Sequence, residues 1–128
     1  MVGSCHCGAV SVELERRPEF INDCDCSLCG KTGAAWAYFA VDEVSVRGST
    51  RTYRRVDRMQ PGVDVHFCGR CGCTTHFATL PHIPHDMIGA NMNLFDREVL
   101  TGVELRYPDG RNWDGASAYG YRRPSEIL

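Results

Sequence analysis

The sequence has no apolar run that approaches the ~20 residues needed for a membrane-spanning helix, and no window keeps a 3.6-residue apolar period over three turns. A transmembrane bundle and a long amphipathic helix are both excluded on that ground. It has no internal repeat, no low-complexity tract and no evident linker, so one domain over residues 1–128 is the expectation. The opening stretch, MVGSCHCGAV, lacks the charged and apolar regions of a secretory signal, which leads to an expected cytoplasmic location. A net charge of −2 supplies no overall attraction to nucleic acid or to a membrane surface.

What the sequence does have in excess is cysteine, eight in 128 residues: Cys5, Cys7, Cys24, Cys26, Cys29, Cys68, Cys71 and Cys73. Without an export signal the thiols are expected to stay reduced. The recurring C-x-C and C-x-x-C spacings suit metal ions better than long-range disulfides. With 43% apolar and 23% charged residues, the rest of the composition is that of an ordinary globular protein.

Strand signals dominate. Residues 9–15 (AVSVELE) alternate, with Val10, Val12 and Leu14 on one face. Residues 34–41 (AAWAYFAV) form an aromatic-rich run of strand length. Residues 44–48 and 51–55 read as two strands of a hairpin turning at Gly48-Ser49. VDVHFC (63–68) and TTHFATL (74–80) flank a cysteine turn, and residues 86–94 and the stretch from 103 add further strand candidates, the last ending in a Pro-Asp-Gly turn. SLCGKTG predicts one short helical turn with Ser27 as cap and Gly33 as stop, and residues 94–100 one or two turns more. The fold class is mainly β, with no large central core evident and with metal sites in the connections.

The cysteines divide into two sets. Cys68-Gly-Arg-Cys71-Gly is a zinc knuckle, a two-residue reversal whose glycines let backbone amides face sulfur. Cys5 and Cys7 border a strand and can complete a closed site of four thiolates, a structural zinc that joins the N-terminus to the middle of the chain. Cys24, Cys26 and Cys29 sit within six residues and supply three ligands, the number typical of a catalytic zinc with one open position. Cys73, Asp23, Asp25 or a histidine from elsewhere could instead close that second set, and Cys73 also fits a small buried side chain at a strand start.

In order along the chain, CHCGAVSVE, CDCSLCGKTGA, HFCGRCGC and DGRNW resemble the glutathione-dependent formaldehyde-activating enzyme family, which also contains the centromere protein V-like proteins. The resemblance implies a β-tent fold of short antiparallel sheets around zinc. It assigns Cys5, Cys7, Cys68 and Cys71 to a structural zinc and Cys24, Cys26 and Cys29 to a catalytic one. It implies a carbon–sulfur lyase that acts on S-(hydroxymethyl)glutathione, or forms it from formaldehyde with glutathione as co-substrate. Cys73 departs from the family pattern, in which a small hydroxyl or apolar residue is usual there. The competing reading is a non-catalytic, zinc-scaffolded binding module, with labile metal handling as a third.

Such chemistry needs a proton carrier and a site for an anionic thiol. His66, His76, His82 and His85 are the candidate carriers. The stretch 47–58 holds five arginines against one aspartate. Arg54 and Arg55 in it are the candidates for binding substrate carboxylates. Trp36, Tyr38 and Phe39 read as core, with Trp36 and Tyr38 on one face.

Overall fold

The structure is a computed structural model that describes residues 1–123; the last five residues of the expected 1–128 unit lie outside that range. In chain order it contains β1 (Val2–Ser4), β2 (Ser11–Leu14), β3 (Phe20–Asn22), α1 (Ser27–Thr32), β4 (Trp36–Phe39), β5 (Val44–Arg47), β6 (Thr50–Tyr53), β7 (Val63–Cys68), β8 (Thr74–Thr79), β9 (Ile88–Asn91) and β10 (Glu104–Arg106). Single 3-10 turns cover Met92–Leu94, Arg97–Leu100 and Gly110–Asn112. No helix among the described residues is long and apolar enough to cross a membrane.

Two sheets carry the strands, one of three in the order β1-β2-β5 and one of seven in the order β10-β3-β4-β9-β8-β7-β6. The predicted hairpin at Gly48-Ser49 does not form. β5 pairs with β2, Val46 opposite Val12, whereas β6 pairs with β7, so the chain crosses from one sheet to the other at that turn. A hairpin and a crossing place the same residue types at the turn, and only the distant partners separate them. The pairings are antiparallel, as expected of a mainly β fold of short sheets, except that β10 runs parallel to β3. That return delivers residues 107–122 to the cysteine-rich end of β3.

A core is present, and it lies between the sheets. Val12 and Leu14 of β2, Ala37 and Phe39 of β4, Ala90, Met92 and Phe95 pack together and are buried. β4 has two apolar faces. Ala37 and Phe39 point into this core, while Trp36 and Tyr38 turn the other way, toward Val65 and Phe77 on β7 and β8. The alternation of a strand thus serves a core on one side and a cavity on the other.

Helix α1 starts one residue earlier in function than Ser27. Cys26 is its N-cap, and its Sγ accepts the Cys29 amide at 3.3 Å. The Ser27 hydroxyl is engaged elsewhere, donating to Asp57 Oδ2 at 3.1 Å. Gly33 ends the helix in the left-handed conformation, as its position in the sequence suggests.

Candidate metal centres and the adjoining cavity

The first cysteine set comes together from both ends of a long connection. Cys5 follows β1, Cys7 lies in the turn before β2, and Cys68 ends β7. The turn that carries Cys71 is closed by the Gly72 amide on the Cys68 carbonyl at 2.8 Å. The four sulfurs lie within 4.8 Å of one another. Cys5 and Cys7, and Cys7 and Cys68, are each 3.7 Å apart. A tetrahedral ion with metal–sulfur bonds near 2.3 Å needs sulfur–sulfur edges of about 3.8 Å, whereas a disulfide needs about 2.05 Å. All eight cysteines are free thiols, so the donor set fits a four-thiolate metal site.

Backbone amides favour the thiolate form here. The Val10 amide donates to Cys5 Sγ at 3.2 Å and the Arg70 amide to Cys68 Sγ at 3.4 Å. The Cys71 and Arg70 amides hold the Cys68 thiol below its ordinary pKa, and those of Cys7 and Cys73 hold Cys71 at about 5. Cys73 packs against this cluster but is not one of the four gathered sulfurs. It is therefore placed away from the second set and does not close it.

In the second set, the sulfurs of Cys24, Cys26 and Cys29 lie within 4.8 Å of one another. Cys24 follows β3, Cys26 caps α1, and Cys29 lies one turn into the helix. Trp36 Nε1 donates to Cys29 Sγ at 3.4 Å. Hydrogen bonds from the thiols of Cys24 and Cys29, and then from the Cys29 and Leu28 amides, strongly lower the pKa of Cys26. The same sharing raises Cys24 to about 11 and raises Cys29 as well. Among the described residues no fourth His, Cys, Asp or Glu joins this set.

Asp25, which sits between two of the sulfur ligands in sequence, faces the other way. Its Oδ1 accepts the Arg111 amide at 3.1 Å, and its Oδ2 pairs with Arg122 at 3.3 Å. Asp25 therefore fastens the C-terminal stretch over the cysteines. The Asp23 amide donates to the Arg106 carbonyl at 2.8 Å, continuing the β3–β10 register. Gly110 then reaches the sulfurs so closely that a Cβ there would sit 2.2 Å from Cys24 Sγ.

Beside the three sulfurs is a cavity of about 300 Å³. Trp36, Tyr38 and Phe77 line it from the sheet, and Trp113 and Tyr119 of the fastened C-terminal stretch also face it. The Trp36 and Phe77 rings meet edge to face at 4.9 Å, and those of Trp113 and Tyr119 lie 4.4 Å apart. Phe77 reaches this position by lying across Gly89, where a Cβ would fall 1.8 Å from the ring. Asn22 Nδ2 donates to the Tyr38 hydroxyl oxygen at 3.0 Å, and burial raises the Tyr38 pKa to about 12. A wider depression of about 800 Å³ touches the set only at Cys29.

The two arginines expected to face the substrate are placed differently. Arg55 lines the cavity and lies beside Cys26, held by Asp57 at 2.7 and 2.9 Å. Arg54 forms a two-point ion pair with Asp64 and borders a separate depression. Its place at the cavity is taken by Arg58, which also lies over the Trp113 ring, 5.9 Å from its centroid. None of the histidines lines the cavity. His66 and His76 stack on each other at 4.2 Å within the sheet, bonded to Thr50 and Thr75, and burial lowers the pKa of both. His82 and His85 are exposed on a loop. Besides Arg55 and Arg58, the polar side chains that line the cavity are Gln60, Tyr119 and Tyr38, and Tyr38 is the one hydrogen-bonded by Asn22. Its strand alternation with Trp36 was the sequence signal for it. Only the quoted DGRNW marked Trp113, and nothing local marked Tyr119.

The family model described as glutathione-dependent formaldehyde-activating enzyme matches residues 1–106. Over 78 residues the chain is 35% identical to a protein of Halomonas elongata that carries a provisional name as such an enzyme. The match covers 54% of this chain and 50% of that protein, so the chain spans about half the length of this curated relative. A crystal structure of a Rhodobacter sphaeroides protein superposes with a TM-score of 0.62 at 31% identity, covering 82% of this chain and 99% of that one. Both cysteine sets fall inside the family match, whereas Trp113 and Tyr119 lie beyond it.

Proposed function

This chain belongs to the glutathione-dependent formaldehyde-activating enzyme family, and from that premise we propose that it makes or breaks the carbon–sulfur bond of a thiol–aldehyde adduct, with S-(hydroxymethyl)glutathione as the reference substrate. One observation carries the reading: three sulfurs gathered at an aromatic cavity with no fourth protein ligand among the described residues. In this reading Cys5, Cys7, Cys68 and Cys71 hold a structural zinc, and Cys24, Cys26 and Cys29 hold a second. Bound zinc at the second set would supply Lewis acidity that favours the thiolate form of a substrate sulfur.

The atoms balance without an oxidant. In the forming direction the thiol sulfur bonds to the carbonyl carbon, and the thiol proton ends on the carbonyl oxygen. In the lyase direction that bond breaks and the hydroxyl proton returns to sulfur. The Tyr38 side chain is suited to hold that proton. Burial keeps it neutral, and the Asn22 amide donates to its oxygen, which leaves the O–H to donate toward a substrate oxygen. Arg55, fixed by Asp57, and Arg58 offer guanidinium groups to the carboxylates of an acidic thiol. The aromatic walls exclude water from the reacting bond.

A second set fully closed by protein would favour the scaffold reading; three sulfurs with no fourth protein ligand among the described residues support the enzyme. The test is turnover of S-(hydroxymethyl)glutathione against the uncatalysed rate. Rate above background that disappears in Cys26→Ser and falls about 10²-fold in Tyr38→Phe is expected. No excess over background in the parent protein refutes the proposal.

A further inference from the structure

The site has two compartments of opposite character that meet at Cys26, Arg55 and Arg58. One is the aromatic cavity described above. The other is a groove of about 540 Å³ that runs past Ser27 and is bordered by Lys31, Arg55, Arg58 and Arg111. The carboxylates in that groove are already engaged: Asp57 by Arg55 and Ser27, and Asp25 by the Arg111 amide and Arg122. Its cations outnumber its carboxylates by two, so it suits an anionic ligand.

An acidic thiol such as glutathione has charged ends and amides but no ring or bulky apolar group. It matches the cationic groove and leaves the aromatic cavity unexplained. A hydroxymethyl group does not explain that cavity either. It has one carbon and one oxygen, roughly the bulk of two waters at about 30 Å³ each, against a volume of about 300 Å³. Five rings converge on that space, from Trp36, Tyr38, Phe77, Trp113 and Tyr119. Two of them come from the stretch beyond the family match, tied down by the Asp25 contacts and by an internal turn in which Trp113 Nε1 donates to the Ser117 carbonyl at 2.6 Å.

Building on the reaction proposed above, we infer that the aldehyde half of the adduct carries an aromatic or similarly flat apolar group. That group would lie in the ring-lined cavity, with the acidic thiol in the cationic groove and the carbon–sulfur bond between them at Cys26. The bond changes are unchanged: sulfur bonds to the carbonyl carbon, the proton moves to the carbonyl oxygen, and both steps reverse on cleavage. The larger aldehyde adds only a group for the rings to hold.

The test uses the full chain as purified and two stable thioethers, S-methylglutathione and S-benzylglutathione, with affinities measured by calorimetry. The benzyl compound is expected to bind at least about tenfold more tightly, since a single methylene in an apolar pocket is already worth roughly tenfold or more. In Trp113→Ala and in Tyr119→Ala the ratio of the two affinities should fall toward one. Equal affinities in the parent protein, no binding of either compound, or a preference that survives in both variants each overturn the inference. Turnover separates this from the reaction itself. Catalysis on S-(hydroxymethyl)glutathione without a benzyl preference keeps the reaction and loses the aromatic substrate. A ring-dependent benzyl preference without any turnover keeps the binding site and loses the reaction.

Discussion

The two cysteine sets should fail in different ways when one ligand is replaced. Cys68 is 1% exposed and lies at the end of β7, with Cys7, 61 positions earlier in sequence, 3.7 Å away. Removing its sulfur opens the only cluster that ties the N-terminal turn to β7 among the described residues. Structural zinc supplies on the order of 10 kcal/mol of apparent binding energy, as much as the ~5–15 kcal/mol that separates a typical domain from its unfolded state. With zinc held there as proposed, Cys68→Ser should unfold the protein at ordinary temperature. Cys26→Ser is a milder change. Serine is itself a preferred N-cap, so the bond that Cys26 accepts from the Cys29 amide is replaced in kind, and the helix should lose less than about 1 kcal/mol. β3, β4 and their neighbours keep their pairing. The assay is zinc per chain by elemental analysis together with thermal unfolding. Cys26→Ser should melt within a few degrees of the parent and retain one zinc. If it loses both zincs and unfolds as completely as Cys68→Ser, the second set is a structural staple and the open-ligand reasoning fails.

Gly110→Ala would place a methyl 2.2 Å from Cys24 Sγ. Overpacking of this kind costs about 1–3 kcal/mol, and metal affinity of the second set should drop while that of the first set is unchanged, as competitive chelation would reveal. Gly89→Ala would push the Phe77 ring out of the cavity wall. It should destabilise the protein by about 1–3 kcal/mol and weaken S-benzylglutathione binding, with unchanged binding arguing against Phe77 as a wall. For pH, burial lowers His76 from 6.5 to about 4. Its neutral form is favoured in the folded state, so its contribution is complete above pH ~6.5 and is lost as pH falls toward 4, a drop on the order of 3 kcal/mol. His76→Gln should flatten that part of the stability curve, measured by denaturant unfolding at several pH values. Arg54→Gln and Arg55→Gln should part ways, the first leaving thiol binding within about twofold and the second weakening it about tenfold or more, in line with the greater strength of charge-assisted bonds to carboxylates. Equal effects would show that both act only through overall charge.

Much about the cysteines was determined by the sequence alone. The knuckle at Cys68 and Cys71, the pair at Cys5 and Cys7, and the trio Cys24, Cys26 and Cys29 are each local, because a reversal of two or three residues brings the sulfurs together whatever the rest of the chain does. The alternation of Val10, Val12 and Leu14 likewise marked a buried face without reference to a partner. Tertiary structure decided everything that depends on pairing at a distance. Gly48-Ser49 marks a turn in either reading, but only β2 and β7 determine whether the flanking strands meet each other. Ser27 and Cys26 are both plausible caps until Asp57 arrives to take the serine hydroxyl. Arg54 and Arg55 are adjacent and chemically identical, and just past the end of β6 one pairs with Asp64 while the other lies beside Cys26. Trp36 and Tyr38 were visible as one apolar face, but whether that face is core or cavity depends on Phe77 crossing Gly89. The rings of Trp113 and Tyr119 reach the cavity beside the sulfurs because β10 runs parallel to β3 and Asp25 holds the following stretch in place. Those contacts span more than eighty residues of sequence, a separation over which no local pattern carries information.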